Sequence, residues 1–143
     1  MTEIDGNIWD YHDAGYPIVI TTNGDINSRG ECVMGRGVAL QTKRRYPEFP
    51  EKLADHLRTH GNRVGYFSPY NIFTFPTKHH WHQKSDIVLI EQSARHLSFA
   101  AGWLGFGRVY MVRPGCSNGK LEWEDVRPRI SSYLDDKFII VQN

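Results

Sequence analysis

Tyr16-Pro-Ile-Val-Ile-Thr-Thr-Asn23, with the loop Gly24 to Glu31 that leads from it into Gly30-Glu-Cys-Val-Met-Gly-Arg-Gly-Val-Ala-Leu40, decides the fold class. The first stretch is a short, β-branched apolar run ending in Asn-Gly, the pattern of a buried strand entering a loop. The second is a glycine-spaced turn that opens a helix over Gly35 to Tyr46. Pro47 closes that helix, because the residue before a proline avoids helical backbone angles. A strand passing through a glycine-rich turn into a helix is half of an α/β unit.

Working outward, the same alternation continues. A second helix is predicted from Pro50 to His60, with Leu53 and Leu57 on one face and Gly61-Asn62 as the stop. Arg63–Phe67 and Asn71–Phe75 read as two strands around the tight connection Ser68-Pro-Tyr70, with Pro76 ending the second. Ser85 is the predicted N-cap of a long amphipathic helix, since Ile87, Ile90, Ala94, Leu97, Ala101 and Leu104 recur at helical spacing. Gly105-Phe-Gly107 stops it. Arg108–Val112 is a further strand, leading into a second glycine-rich loop, Gly115-Cys-Ser-Asn-Gly119. A helix with its main body near Pro128 is expected next, and Phe138–Gln142 is a closing strand. Such a chain predicts a sheet covered by helices on both faces, and the continuous apolar runs Ile18–Ile20 and Phe138–Val141 suit central strands. No repeat, linker or low-complexity segment interrupts it, so one domain is expected over 1–143.

Bulk properties narrow the function classes. Seventeen Lys and Arg against sixteen Asp and Glu give a formal charge of +1 over 143 residues. That balance argues against a domain held to nucleic acid by bulk charge, although a local basic patch remains open. Cys32 and Cys116 have no metal-ligand spacing and fit a reducing compartment, so a cytoplasmic protein is expected. No secretory pattern or apolar run long enough for a membrane span is visible.

In α/β sheets, ligands sit outside the carboxyl ends of strands, and here both glycine-rich segments follow directly on strands. Glycines let backbone N–H groups approach an anion, and a helix N-terminus adds partial positive charge. Either loop alone reads as an ordinary turn; two at matching strand ends point to a diphosphate clamp. Neither carries the lysine and hydroxyl of a P-loop, which argues against nucleoside triphosphate hydrolysis.

These segments resemble the macro domain family. Cys32-Val-Met-Gly-Arg-Gly-Val-Ala-Leu40 is similar to the family's ribose-binding loop. Gly115-Cys-Ser-Asn-Gly-Lys-Leu-Glu-Trp-Glu-Asp-Val126 is similar to its diphosphate loop and following helix. Phe75-Pro-Thr-Lys-His-His-Trp81 resembles a segment of the branch containing the DNA ADP-ribosyl glycohydrolase antitoxins, related to the terminal ADP-ribose protein glycohydrolases. The resemblance spans nearly the whole chain. It implies a three-layer α/β/α sandwich with a mixed, largely parallel central sheet, and ADP-ribose as ligand or product with no cofactor.

Residue by residue, the resemblance implies that Gly35 and Gly37, with Val33, Met34 and Val38 beside them, line the distal ribose, with Asn23 nearby. Gly115, Cys116, Ser117, Asn118 and Gly119 would embrace the diphosphate through backbone N–H groups. Lys78 would be the lysine on which hydrolysis depends. The chain also departs from the family. Asn7, in Gly6-Asn7-Ile8, stands where an aspartate usually meets the adenine, and its carbonyl accepts without charge assistance. Ile20 replaces the family's first asparagine, and Gly119 stands where the protein glycohydrolases keep an aspartate.

An amine at Lys78 has two uses: attack on C1″ of a ring-opened ribose to give a Schiff base, or stabilisation of charge on the sugar as the leaving group departs. Nucleophilic use requires a neutral amine, which partial burial beside Arg or His cations promotes. His79, His80 and His82 are close in sequence; they read as a polar loop rather than a metal site, because no distant third ligand is evident. Trp81 reads either as a platform for a substrate base or as packing under the loop. Lys43-Arg-Arg45 reads as a solvated face or a phosphate contact. The expected function is an ADP-ribose-binding domain that removes ADP-ribose from a modified nucleobase (thymidine in DNA) or an acidic side chain of a protein. A non-catalytic reader and an ADP-ribose 1″-phosphate phosphatase are the alternatives.

Overall fold

Ile18–Asn23 becomes a strand because both of its faces find apolar cover. Ile18 and Ile20 pack toward one side of the sheet and Val19 toward the other, the period-two alternation of extended chain. A computed structural model describes residues 1–143. Its strands are β1 (Thr2–Asp5), β2 (Ile18–Asn23), β3 (Gly65–Phe67), β4 (Ile72–Lys78), β5 (Val109–Met111) and β6 (Phe138–Gln142). Its helices are α1 (Ile8–Asp13), α2 (Gly37–Arg45), α3 (Phe49–His60), α4 (Ile87–Trp103) and α5 (Trp123–Ile130). No helix is long and apolar enough to cross a membrane.

The strands form one sheet in the order β1-β6-β5-β2-β4-β3. All neighbours are parallel except β3, which runs antiparallel to β4. On one face, Val19, Phe73 and Phe75 meet Ile90, Ala94 and Leu97 of α4 and Val126 and Ile130 of α5. On the other, Ile18, Ile20 and Ile72 meet Ile8 and Trp9 of α1 and Phe49 and Leu53 of α3, with Val38 and Ala39 of α2 against them. The result is the expected three-layer α/β/α sandwich. Phe49, Phe73, Phe75 and Phe138 are fully buried, each contributing about 1.5–3 kcal/mol through area removed from water.

The connections position the site. From β2 the chain leaves for the α2–α3 face, whereas from β5 it leaves for α5 on the opposite face. β2 and β5 are paired neighbours through Ile18↔Tyr110 and Val19↔Met111. Their exits therefore diverge from adjacent strand ends, which opens a crevice at the switch point of the sheet.

Four local expectations are corrected. Pro76 does not end its strand, because β4 continues to Lys78. β3 pairs only with Ile72–Thr74, so beyond Thr74 that flank of β4 is open and a missing N–H costs no ladder bond. Ser85 is not the cap of α4: Asp86 accepts from the Val88 N–H at 2.9 Å, while the Ser85 N–H is drawn away to the Gly119 carbonyl at 3.0 Å. Pro128 does not open α5 but sits inside it, two residues before its end; the bond it forfeits is to the carbonyl of Glu124, an exposed residue. Finally, β1 and α1 precede the first strand read from the sequence. Thr2–Asp5 is exposed along its whole length and carries no apolar alternation, so only its pairing with β6 makes it a strand.

Candidate functional site

A cleft of about 920 Å³ lies across the carboxyl ends of the parallel strands. Asn7 and Ile8 after β1, Asn23 ending β2, Lys78 ending β4, Arg113 just beyond β5 and Gln142 of β6 all line it. Each parallel strand thus delivers residues to one place, as parallel packing under divergent crossovers requires.

The loop after β2 is pinned by Asn23, whose amide donates to the Val33 carbonyl at 2.9 Å and whose Oδ1 accepts from the Asp25 N–H at 3.0 Å. Gly37 has φ +57°, a left-handed conformation that favours glycine, and a Cβ there would lie 3.1 Å from Asn118 Nδ2. The two glycine-rich loops therefore touch. At the N-terminus of α2, Arg36 occupies the cap position without a side-chain cap bond, and no acid lies in the first turn. The helix accordingly presents uncapped N–H groups and its positive dipole end to the cleft, an arrangement suited to an anion.

The loop after β5 is equally constrained. Gly115 has φ +79°, and a Cβ there would approach Ile90 Cδ1 to 2.5 Å. Ser117 (φ 62°) and Lys120 (φ 64°) hold left-handed backbone without being glycine, at about 1 kcal/mol or more each. Backbone bonds fix the turn: Lys120 N–H to the Ser117 carbonyl at 3.1 Å and Leu121 N–H to the Gly115 carbonyl at 2.9 Å. A Cβ on Gly119 would overlap Ser85 Oγ, a buried hydroxyl that has no hydrogen-bond partner. Burial raises the Cys116 thiol pKa, against the nearby positive charge of Arg113.

Lys78 joins these parts. Its Nζ donates to the Asn118 carbonyl at 3.2 Å and to the Trp81 carbonyl at 3.3 Å. Burial lowers its pKa from the usual lysine value, and the positive charges of Arg36 and Lys120 lower it further. The cations that act on Lys78 are therefore Arg36 and Lys120 rather than neighbouring histidines. His79 donates to Asp86 and His80 to Asp25, each at 2.8 Å. Burial works to raise the Asp25 pKa, but the bonds from His80 and the Trp81 N–H outweigh it and hold the carboxylate below its ordinary range. Asp86 is held low chiefly by His79. Of the three histidines only His82 lines the cleft.

Of the residues singled out in the sequence, Lys78, Asn7, Ile8, Asn23, Val33, Gly35, Gly37, Val38, Gly115, Cys116, Ser117, Asn118 and Gly119 come together around this cleft. Met34 does not: it is 3% exposed and packs in the core with Phe49 and Leu53, because Val33 and Met34 alternate and only one can face outward. Asn7 is the N-cap of α1, its side chain accepting from the Trp9 N–H at 3.0 Å. The basic run lies in the last turn of α2, where it complements the helix dipole. Within it Arg45 pairs with Asp13 at 2.8 Å and covers the Trp9 ring at 4.4 Å. The cleft also takes Arg36, Ser85, Arg113, Lys120 and Gln142, none of which sequence reasoning assigned to it. Gln142 is legible from the rule that strand carboxyl ends line the crevice, whereas Ser85 carries the signature of a helix cap, which hides its place beside the turn.

No protein-family model matches the chain. The DNA ADP-ribosyl glycohydrolase of Mycobacterium tuberculosis is 34% identical over 109 residues, which is 70% of this chain and 31% of that protein. The protein of the same name from Thermus aquaticus is 30% identical over 112 residues, 72% of this chain and 31% of its own length. The solved macrodomain of Mycobacterium tuberculosis DarG superposes with a TM-score of 0.80 at 28% identity, covering 99% of this chain and 97% of that one. The chain belongs to the macro domain family. It spans 31% of the length of the curated relatives it matches. Within that family, this macro domain keeps both glycine-rich loops and the Lys78 segment at one cleft.

Proposed function

We propose that this macro domain binds ADP-ribose and hydrolyses the bond linking it to a nucleobase in DNA. The observation that carries this reading is the bond from Lys78 Nζ to the Asn118 carbonyl, which ties the amine to the loop suited to the diphosphate. The diphosphate lies between the uncapped start of α2 and the Ser117–Gly119 turn, which places the distal ribose beside Gly35, Gly37 and Lys78. The neutral amine attacks C1″ and the C1″–N bond breaks, the base leaving with a proton. The resulting glycosylamine opens to an imine that water hydrolyses, releasing ADP-ribose and regenerating the amine. The relatives named DNA ADP-ribosyl glycohydrolase support this substrate class. Positioning and electrostatics supply the catalysis, and no cofactor is needed for it.

Calorimetric titration of ADP-ribose is expected to give a dissociation constant between sub-micromolar and about 100 µM, or roughly 5.5–8.5 kcal/mol. An ADP-ribosylated thymidine oligonucleotide is expected to release ADP-ribose, and Lys78→Ala to abolish release while binding persists. Binding without release from that oligonucleotide or from an ADP-ribosylated glutamate peptide would make the domain a reader. No binding at millimolar ligand overturns the proposal.

A further inference from the structure

Trp81 is an exposed aromatic whose backbone is held by two hydrogen bonds. Its side chain is largely in water, with 53% of the residue exposed, yet its backbone is gripped from both sides. Its N–H donates to Asp25 Oδ2 at 2.7 Å, and its carbonyl accepts from Lys78 Nζ at 3.3 Å. Asp25 is itself fixed, its N–H bound by Asn23 and its second oxygen by His80. The indole packs edge-on against His82, with ring centroids 5.6 Å apart, and lines the cleft. An exposed indole leaves a large apolar face unburied, so packing under the loop does not explain it.

We propose that Trp81 is the platform on which the nucleobase carrying ADP-ribose stacks. It is thereby the residue that makes the site select a nucleic acid leaving group over an amino-acid side chain. The inference rests on the function proposed above and adds the determinant of its substrate class. Three observations converge on it. The ring belongs to the residue whose carbonyl holds the Lys78 amine, so a base lying on it is set at a fixed place relative to the reacting carbon. The surroundings are cationic, with Arg36, Lys78 and Lys120 lining the same cleft, which suits flanking phosphates. Every base offers a π-face, whereas a glutamate ester offers none, so stacking discriminates between the two leaving groups.

The test compares the native chain with Trp81→Ala and Trp81→Phe on an ADP-ribosylated thymidine oligonucleotide, an ADP-ribosylated glutamate peptide and free ADP-ribose. KM is measured where the chain turns the substrate over, and Kd where it does not. Trp81→Ala is expected to weaken the oligonucleotide by about tenfold, the scale of one lost base–aromatic stack. It is expected to leave the peptide and free ADP-ribose within about twofold, and Trp81→Phe to recover most of the loss. Equal weakening of all three ligands, or none, overturns the platform. A Phe variant as poor as the Ala variant overturns it too. An inactive native chain with a selective Kd effect would sink the proposed hydrolysis and leave the platform standing; an active chain indifferent to Trp81→Ala would do the reverse.

Discussion

An amine attacks carbon only in its neutral form, and burial together with Arg36 and Lys120 lowers the Lys78 pKa. The sign follows directly. A lowered pKa leaves more neutral amine at any given pH, so the release rate should rise with pH through an apparent pKa below the ordinary lysine value of about 10.4. Removing either cation should move that rising limb to higher pH. A pH–rate profile of the native chain and of Arg36→Ala and Lys120→Ala checks this; a limb at the ordinary lysine position, unmoved in both variants, would remove the nucleophilic role. The sequence made Lys78 itself legible through its Phe-Pro-Thr-Lys setting and pointed to an Arg or a His beside it; the arginine is there as Arg36, but the second cation is Lys120 and not a histidine. His79 and His80 are adjacent along the chain, yet Asp86 and Asp25 take them. Arg36 and Lys120 arrive from two distant loops. Charge acts through space, and only the fold determines who is near.

At the scale of elements, the loop after β5 is locked against the start of α4 by Ser85 and Gly119. A methyl group on Gly119 meets Ser85 Oγ, the orphaned hydroxyl below the turn. Gly119→Ala should therefore cost about 1–3 kcal/mol of stability, the scale of overpacking, and weaken ADP-ribose binding by displacing the turn. Adding Ser85→Gly should restore both toward native values. Urea unfolding and calorimetry read the two effects, and a single variant with native stability and affinity would show that this contact does not set the turn. The elements legible in the sequence were those whose signal is local: the apolar run of β2, the helical spacing of α4, the closing strand Phe138–Gln142. Those that were not legible depend on neighbours. β1 is polar and exists through pairing with β6. Pro76 survives in β4 because β3 has already ended. Ser85 yields the cap to Asp86, whose carboxylate takes the Val88 N–H, while the Ser85 N–H reaches the carbonyl of distant Gly119.

Over the whole molecule, a formal charge of +1 conceals how the charges are placed. Arg36, Lys78, Arg113 and Lys120 gather at one cleft, so a nearly neutral protein presents a cationic pocket to an anionic ligand. Composition alone cannot reveal this, because the four residues come from two loops and the end of a strand that lie far apart in the chain. What the sequence did reveal was the coincidence of two glycine-rich turns with strand ends. The pairing of β2 with β5 turns that coincidence into a single site. The most direct measurement is a titration of ADP-ribose into isotope-labelled protein, following the backbone amide resonances. Gly35, Gly37, Ser117 and Gly119 are expected to shift together along one binding curve, with the amides of α5 and the last turn of α2 unmoved. Shifts confined to one of the two loops, or following two different curves, would contradict a diphosphate held between them.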